Sequence, residues 1–345
     1  MKFSISISLG RFDKSVDIQE ALAETIELVR MAEQGGFETA WAPEHHTIEF
    51  TIGPNPFLLL GQWAAHTKTI RLGTGIVTAP YWHPIRLAGE AGMLDVISGG
   101  RLEFGIGRGA YQYEFDRMAD GMPQERGVAY MKEIVPALKG LWQGDYEHKG
   151  EYWNFPLATS VPRPLQKPFP PIWVAARDPG TFDWAIKSGA NILSTPLSRP
   201  TAEVKILAEK FEETLANNPS VPRPRFMMLR RTCVYDNPDG WELPVKTSID
   251  YGRYFENLFK NIGTVKEGFP EPVSLKSVAN RADYDISNIR EAMMFGTPNE
   301  VVEKLKIYRD VGVDQFCYGA SFGLPFEAQK RSLELFIDKV MPKFQ

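Results

Sequence analysis

Glu44, His45 and His46 stand side by side after an apolar run, Thr39-Ala40-Trp41-Ala42, in a chain of 345 residues that holds only five histidines. A carboxylate beside two imidazoles brings together the groups that hold and move a proton near neutral pH. The same triplet could instead form an ion pair that closes a strand end. Metal binding is disfavoured, because adjacent histidines on an extended backbone point to opposite faces and no carboxylate cluster accompanies them. Gly105-Ile106-Gly107-Arg108-Gly109 puts small residues where a strand becomes a loop and leaves an arginine free to meet an anion; an ordinary structural turn is the alternative. It lacks the spacing of a dinucleotide fingerprint. Arg177-Asp178-Pro179-Gly180-Thr181 opens a helix whose N-terminus offers N–H groups, a dipole and a hydroxyl to a phosphate, unless Asp178 simply caps it.

These residues need elements to position them. Short apolar runs alternate with amphipathic, helix-like segments for most of the length, the rhythm of βα units. Strands are predicted at 3–9, 39–42, 70–78, 102–106, 172–175, 191–194, 226–235 and 315–318. Helices are predicted at 18–34, 56–65, 85–97, 124–142, 181–187, 201–215, 246–259 and 326–340, with a further helix opening at Pro298. Eight such pairs favour a closed (β/α)8 TIM barrel, an α/β fold, over an open doubly wound sheet. The expectation is one barrel domain over 1–345 with two insertions. Residues 144–171 read as a hairpin and a proline-rich connector; residues 261–290 are polar, without a clear period, and read as a mobile lid. In a barrel the catalytic face is the C-terminal end of the strands, where the three clusters above and Tyr81-Trp82-His83 would converge.

Composition narrows the function. A net charge of −4 and a pI near 5.9, with scattered arginines and lysines, give no footprint for nucleic acid. No run approaches the ~18 consecutive apolar residues of a membrane span, and the alternating N-terminus reads as a strand rather than an export signal. Cys233 and Cys317 lie in apolar runs, which suits buried thiols in the cytoplasm better than a disulfide. Structural zinc is not expected from two cysteines without paired histidine spacing.

The clusters together resemble the bacterial luciferase-like flavin monooxygenases. The resemblance runs through Glu44-His45-His46, Gly53-Pro54-Asn55-Pro56, Thr67 to Gly75, His83-Pro84-Ile85-Arg86, Leu94 to Arg101, Phe104 to Gly109, Trp173 to Ala176 and Phe295 to Pro298. It implies a (β/α)8 barrel that binds FMN as FMNH2 at the strand C-termini, uses O2 and forms a homodimer. On this resemblance the reactive histidine falls on His45, as acid/base or hydrogen-bond partner of the oxygenated flavin, with Glu44 and His46 orienting it. The cofactor set falls on Thr74, Gly75, Arg108, Tyr111, Ala176, Arg177, Asp178 and Thr181, with a non-prolyl cis peptide within Thr74-Gly75-Ile76. Two departures stand out: Gly107 occupies the place of a reactive cysteine in luciferases, and Arg177 that of an acidic residue. The implied reaction inserts one oxygen atom into a small organic substrate, with FMNH2 supplied by a separate flavin reductase, since no nicotinamide motif is present. A deazaflavin-dependent hydride-transfer oxidoreductase and a non-catalytic flavin-binding protein are the alternatives.

Overall fold

The computed structural model describes residues 1–344. Eight strands form the barrel: β1 (Lys2–Ser6), β2 (Thr39–Ala42), β3 (Arg71–Thr74), β4 (Leu102–Gly107), β5 (Ile172–Ala175), β6 (Asn191–Ser194), β7 (Phe226–Val234) and β8 (Gln315–Gly319). Each pairs in parallel with its neighbour, in the ring order β1-β2-β3-β4-β5-β6-β7-β8, and β8 returns to β1 with Lys2 opposite Gln315 and Ser6 opposite Gly319. β7 is nine residues long and serves three partners: Phe226 to Met228 pair with β6, Met227 to Arg231 with β8, and Thr232 to Val234 with the short strand Met294–Gly296.

Side chains alternate across each strand, so one set fills the barrel and the other meets the helices. Trp41, Trp173, Leu193, Met227 and Cys317 fill the interior, with the two indoles edge to face at 5.4 Å. The helices pack on the outer face through a larger apolar layer that includes Leu60, Trp63, Leu138, Trp142, Phe211 and Phe336. At the N-terminal end of the barrel, buried Glu103 accepts hydrogen bonds from Arg71, from Trp173 Nε1 at 2.5 Å and from Arg225 at 3.2 Å. Its charge is balanced where the strands begin, away from the chemistry.

Helix ends follow their sequence signals. Asp17 accepts from the N–H groups of Gln19 and Glu20, and Asn55 caps the helix Pro56–His66 through Phe57 N–H. Thr297 and Glu300 form a reciprocal capping box on the helix Pro298–Asp310.

The expected strand 70–78 divides into β3 and a short strand Val77–Thr78, separated by a cis peptide at Gly75–Ile76. β1 stops at Ser6, because beyond it Leu9 turns away to bridge Ile52. The expected helix 124–142 begins as a helix at Gly127, after a single 3-10 turn. Sequence patterning overlooks the seven-residue helix Gln112–Met118, too short to display a period, and the three-residue strand Met294–Gly296. Residues 146–158 form the expected hairpin, Tyr146–Lys149 against Asn154–Ala158. The second insertion holds a two-by-two hairpin, Val265–Lys266 with Phe269–Pro270, and the short helices Leu275–Val278 and Ile286–Ala292. No helix among the described residues is long and apolar enough to cross a membrane. Both cysteines are free and buried.

Candidate active site

β2 ends at Ala42 because Pro43 has no N–H with which to continue the ladder. The chain then folds back on itself within the loop between β2 and the helix Pro56–His66. His45 N–H donates to the Gly53 carbonyl at 3.0 Å, and Glu44 N–H donates to Ile76. Only glycine fits opposite: a Cβ on Gly53 would lie 2.4 Å from the Pro43 oxygen.

This anchoring sends the three side chains of the triplet to different places. Glu44 is fully buried, and its carboxylate accepts from Thr78 N–H at 2.7 Å, from Trp82 Nε1 at 2.9 Å and from His46 Nε2 at 2.8 Å. His46 therefore faces away from His45 and packs edge-on against Tyr81. His45 is held by a residue that sequence reading missed. Glu114, on the overlooked helix Gln112–Met118, is 2% exposed and presents Oε1 to His45 Nδ1 at 3.1 Å and to His46 N–H at 2.7 Å. The His45 ring also stacks on Tyr111, centroids 4.8 Å apart. A carboxylate on Nδ1 fixes this nitrogen as the donor, so Nε2, which has no partner among the described residues, is left to exchange a proton or hydrogen bond with a ligand.

His45 opens onto a cavity of about 630 Å³ at the C-terminal mouth of the barrel, within the range of small-molecule sites. Gly75, Ile76, Gly107, Ala175 and Ala176 give it one low wall. Gly107 keeps that wall low, since a Cβ there would come within 3.2 Å of the Ala175 methyl and 3.0 Å of Ile76. Further round lie Arg108, Arg177, Asp178, Thr181 and Ser194. Arg108 makes no ion pair among the described residues, and Arg177 Nε and Ser194 Oγ are buried without a partner. Burial first, and then the charge of Arg199, hold the Arg177 guanidinium below its ordinary pKa. Unmatched donors of this kind fit an anionic ligand group. The helix after β5 offers less than its sequence promised. Asp178 accepts from Thr181 N–H at 2.9 Å and from Thr181 Oγ1 at 2.7 Å, so its own carboxylate occupies the helix N-terminus. Burial pushes the Asp178 carboxyl up, but these bonds outweigh it and leave the group below the usual carboxylate range.

The structure thus gathers His45, Glu44, Gly75, Arg108, Ala176, Arg177, Asp178 and Thr181 around one cavity. Three expected residues do not line it. Thr74 is spent inside the sheet, where Oγ1 donates to Gly105 O at 2.7 Å and accepts from Gly105 N–H at 2.8 Å. Tyr111 is buried behind His45, and His46 is tied to Glu44. Nor does Glu44 orient His45, because that carboxylate's bonds go to Thr78, Trp82 and His46. Besides Glu114, sequence reading missed Ser194, Arg231 and Ser248, all at the cavity. Two signals were available: an acid between two aromatic residues at Tyr113-Glu114-Phe115, and a pair of arginines inside the apolar run of β7.

The sequence matches the luciferase-like monooxygenase family over residues 1–315. It is 42% identical over 344 residues to the oxygenase component of a flavin-dependent trigonelline monooxygenase from Acinetobacter baylyi, covering all of this chain and 96% of the relative. Among solved structures, a monooxygenase from Streptomyces bottropensis, RslO1, superposes over the full length of both chains with a TM-score of 0.82 and 25% identity. The oxygenating constituent of 3,6-diketocamphane monooxygenase from Pseudomonas putida, in complex with FMN, shares the fold with a TM-score of 0.77 and 20% identity, over 99% of this chain and 98% of that one. The match over most of its length shows that this chain belongs to the luciferase-like monooxygenase family.

Proposed function

We propose that the chain is the oxygenase component of a two-component flavin monooxygenase, which takes FMNH2 from a separate reductase and inserts one atom of O2 into a small organic substrate. One observation carries the reading: a histidine anchored through Nδ1 by a buried carboxylate faces a cavity whose other end holds cationic and polar donors without partners. FMN fits that donor set. Arg108, Arg177 and Ser194 would hold its phosphate, and the low wall of Gly75, Gly107, Ala175 and Ala176 would take its ring. Reduced flavin, when bound, supplies the electrons that activate oxygen. The protein's part is to bind, to exclude water and to manage one proton. Glu114 keeps Nδ1 of His45 protonated, and Nε2 holds or transfers a proton at the reacting end of the cavity.

The second insertion supports a lid. Arg281, Asp283 and Tyr284 line the cavity, and its hairpin is fastened to the loop after β2 through Glu49 N–H to Gly268 O at 2.7 Å. Closing such a segment would keep water from the reaction. Exposed Leu58, Met93, Val96 and Ile97, on the helices Pro56–His66 and Pro84–Ile97, form an apolar surface suited to a homodimer, and two free buried thiols suit the cytoplasm.

Titration with FMN and with riboflavin, followed by flavin fluorescence, tests the reading. FMN should bind, and Arg177→Ala should weaken FMN by about tenfold while leaving riboflavin unchanged, as expected for loss of one charge-assisted contact. Tight binding of a deazaflavin with none of FMN would overturn it.

A further inference from the structure

One cation in the cavity is left without a role. Arg231 extends from β7, in the same inward series as Met227 and Leu229, and reaches the cavity wall beside Ser248, Phe255 and Tyr284. Its Nη1 donates to Ser248 Oγ at 2.9 Å, and its guanidinium lies 4.3 Å from the centre of the Tyr251 ring. Nε and Nη2 have no protein acceptor, and no carboxylate pairs with it among the described residues. Of the other cations that line the cavity, Arg108 and Arg177 are assigned to the phosphate, Lys260 pairs with Glu256 at 2.5 Å, and Arg281 pairs with Glu256 at 2.8 Å and Asp283 at 3.3 Å. Arg231 is half-buried, and a guanidinium held in such a wall without a counter-ion favours an anionic ligand that supplies one.

Arg231 does not belong to the phosphate end. Its guanidinium lies over the ring of Tyr251, which packs in the same apolar cluster as Tyr111 and Phe255. Tyr111, edge to face with Phe255 at 5.4 Å, is the ring stacked on His45. Arg231 therefore belongs to the His45 end of the cavity, where the substrate must lie. With Nη1 fixed by Ser248, the free Nε and Nη2 form a planar fork that matches the two oxygens of a carboxylate. Phe255 and Tyr284 offer flat apolar faces beside it.

We propose that Arg231 is the substrate-anchoring residue, and that the substrate class is aromatic or heteroaromatic monocarboxylates, held by the carboxylate with the ring turned toward His45. The assignment rests on the flavin monooxygenase reading. Calorimetric titration of the protein, with and without saturating FMN, uses two matched pairs of probes: nicotinate against nicotinamide and benzoate against benzamide. In the wild type the carboxylates should bind about ten- to a hundredfold tighter than the amides, the range of a charged hydrogen-bonded contact. Arg231→Gln should abolish that difference and leave FMN affinity unchanged, and Arg231→Lys should keep only part of it. Equal binding of acid and amide, or no binding of either acid, would overturn the proposal. Loss of FMN affinity in a folded Arg231→Gln protein would also overturn it, by making Arg231 a flavin ligand. If Arg231→Gln does not fold, the wild-type acid and amide pairs decide alone. If FMN does not bind the wild type, the flavin reading fails, and the flavin-free titrations still decide the carboxylate.

Discussion

Replacing Glu114 tests the main positional claim, that this carboxylate, absent from any motif, sets the orientation of His45. Glu114→Ala removes the acceptor of two donors, His46 N–H at 2.7 Å and His45 Nδ1 at 3.1 Å. The amide is left orphaned in a site where the lost side chain was 2% exposed. An orphaned buried donor costs about 2 kcal/mol. His45, at 20% exposure, can find water and loses orientation more than stability. With an unfolding entropy of about 2.1 cal/mol/K per residue, 2 kcal/mol lowers Tm by about 3 °C in a chain of this length. Glu114→Gln is gentler. Both bonds fall on the single oxygen Oε1, which an amide oxygen reproduces, so only the charge assistance is lost, about half the effect. For function, enzyme premixed with reduced FMN is mixed with O2 in the absence of substrate, and hydrogen peroxide release is timed. His45→Ala should speed release about tenfold, the worth of one hydrogen bond in a partly dry site. Glu114→Ala should approach that value, Glu114→Gln should stay nearer the wild type, and the double variant His45→Ala/Glu114→Ala should be no faster than His45→Ala alone. Additive effects in the double variant, or wild-type release in a folded Glu114→Ala protein, would refute the claim that Glu114 acts through His45.

Other expectations follow from the same contacts. Glu44→Gln must turn an amide N–H2 toward Thr78 N–H and Trp82 Nε1 or toward His46 Nε2, so thermal unfolding should show a loss of about 2 kcal/mol, larger than for Glu114→Gln; equal Tm values would contradict the assigned hub role. Glu33 Oε1 gathers the N–H groups of Lys68, Thr69 and Ile70 at 2.7 to 3.0 Å. Burial pushes its carboxyl up, but these bonds outweigh it and hold the group below the usual carboxylate range. A lowered folded-state pKa gives stability that is present above the unfolded value of about 4.3 and is lost as pH falls through the folded one. The Tm gap between wild type and Glu33→Gln should therefore persist at pH 7 and close below about pH 4; a gap independent of pH would count against the charge. Burial pushes the thiols of Cys233 and Cys317 up to about 12. A colorimetric thiol reagent at pH 8 should thus react with neither in the native protein and with both after denaturation, and rapid native labelling would show that one is accessible.

The barrel was legible because each of its eight strands is a short apolar run set off by a helix of different period, and periodicity is a local property. All eight expected strands appear, and three of them, Thr39–Ala42, Ile172–Ala175 and Asn191–Ser194, end on the expected residues. The family, too, was readable in motifs that keep their order along the chain. What sequence could not decide was where side chains of one segment meet those of another. Glu44 and His45 are adjacent, yet proline at 43 and the bridge to Gly53 send them to different partners. The acid on His45 comes from a residue 69 positions away, on a helix too short to show a period. Arg231 lies inside a strand whose apolar run says only that it is buried; its lack of a counter-ion is a property of the whole surrounding wall. Local propensity and order fixed the frame and the kind of protein. Which groups lose water together, and which are left unpaired, was decided by tertiary packing, because desolvation and pairing act through space rather than along the chain.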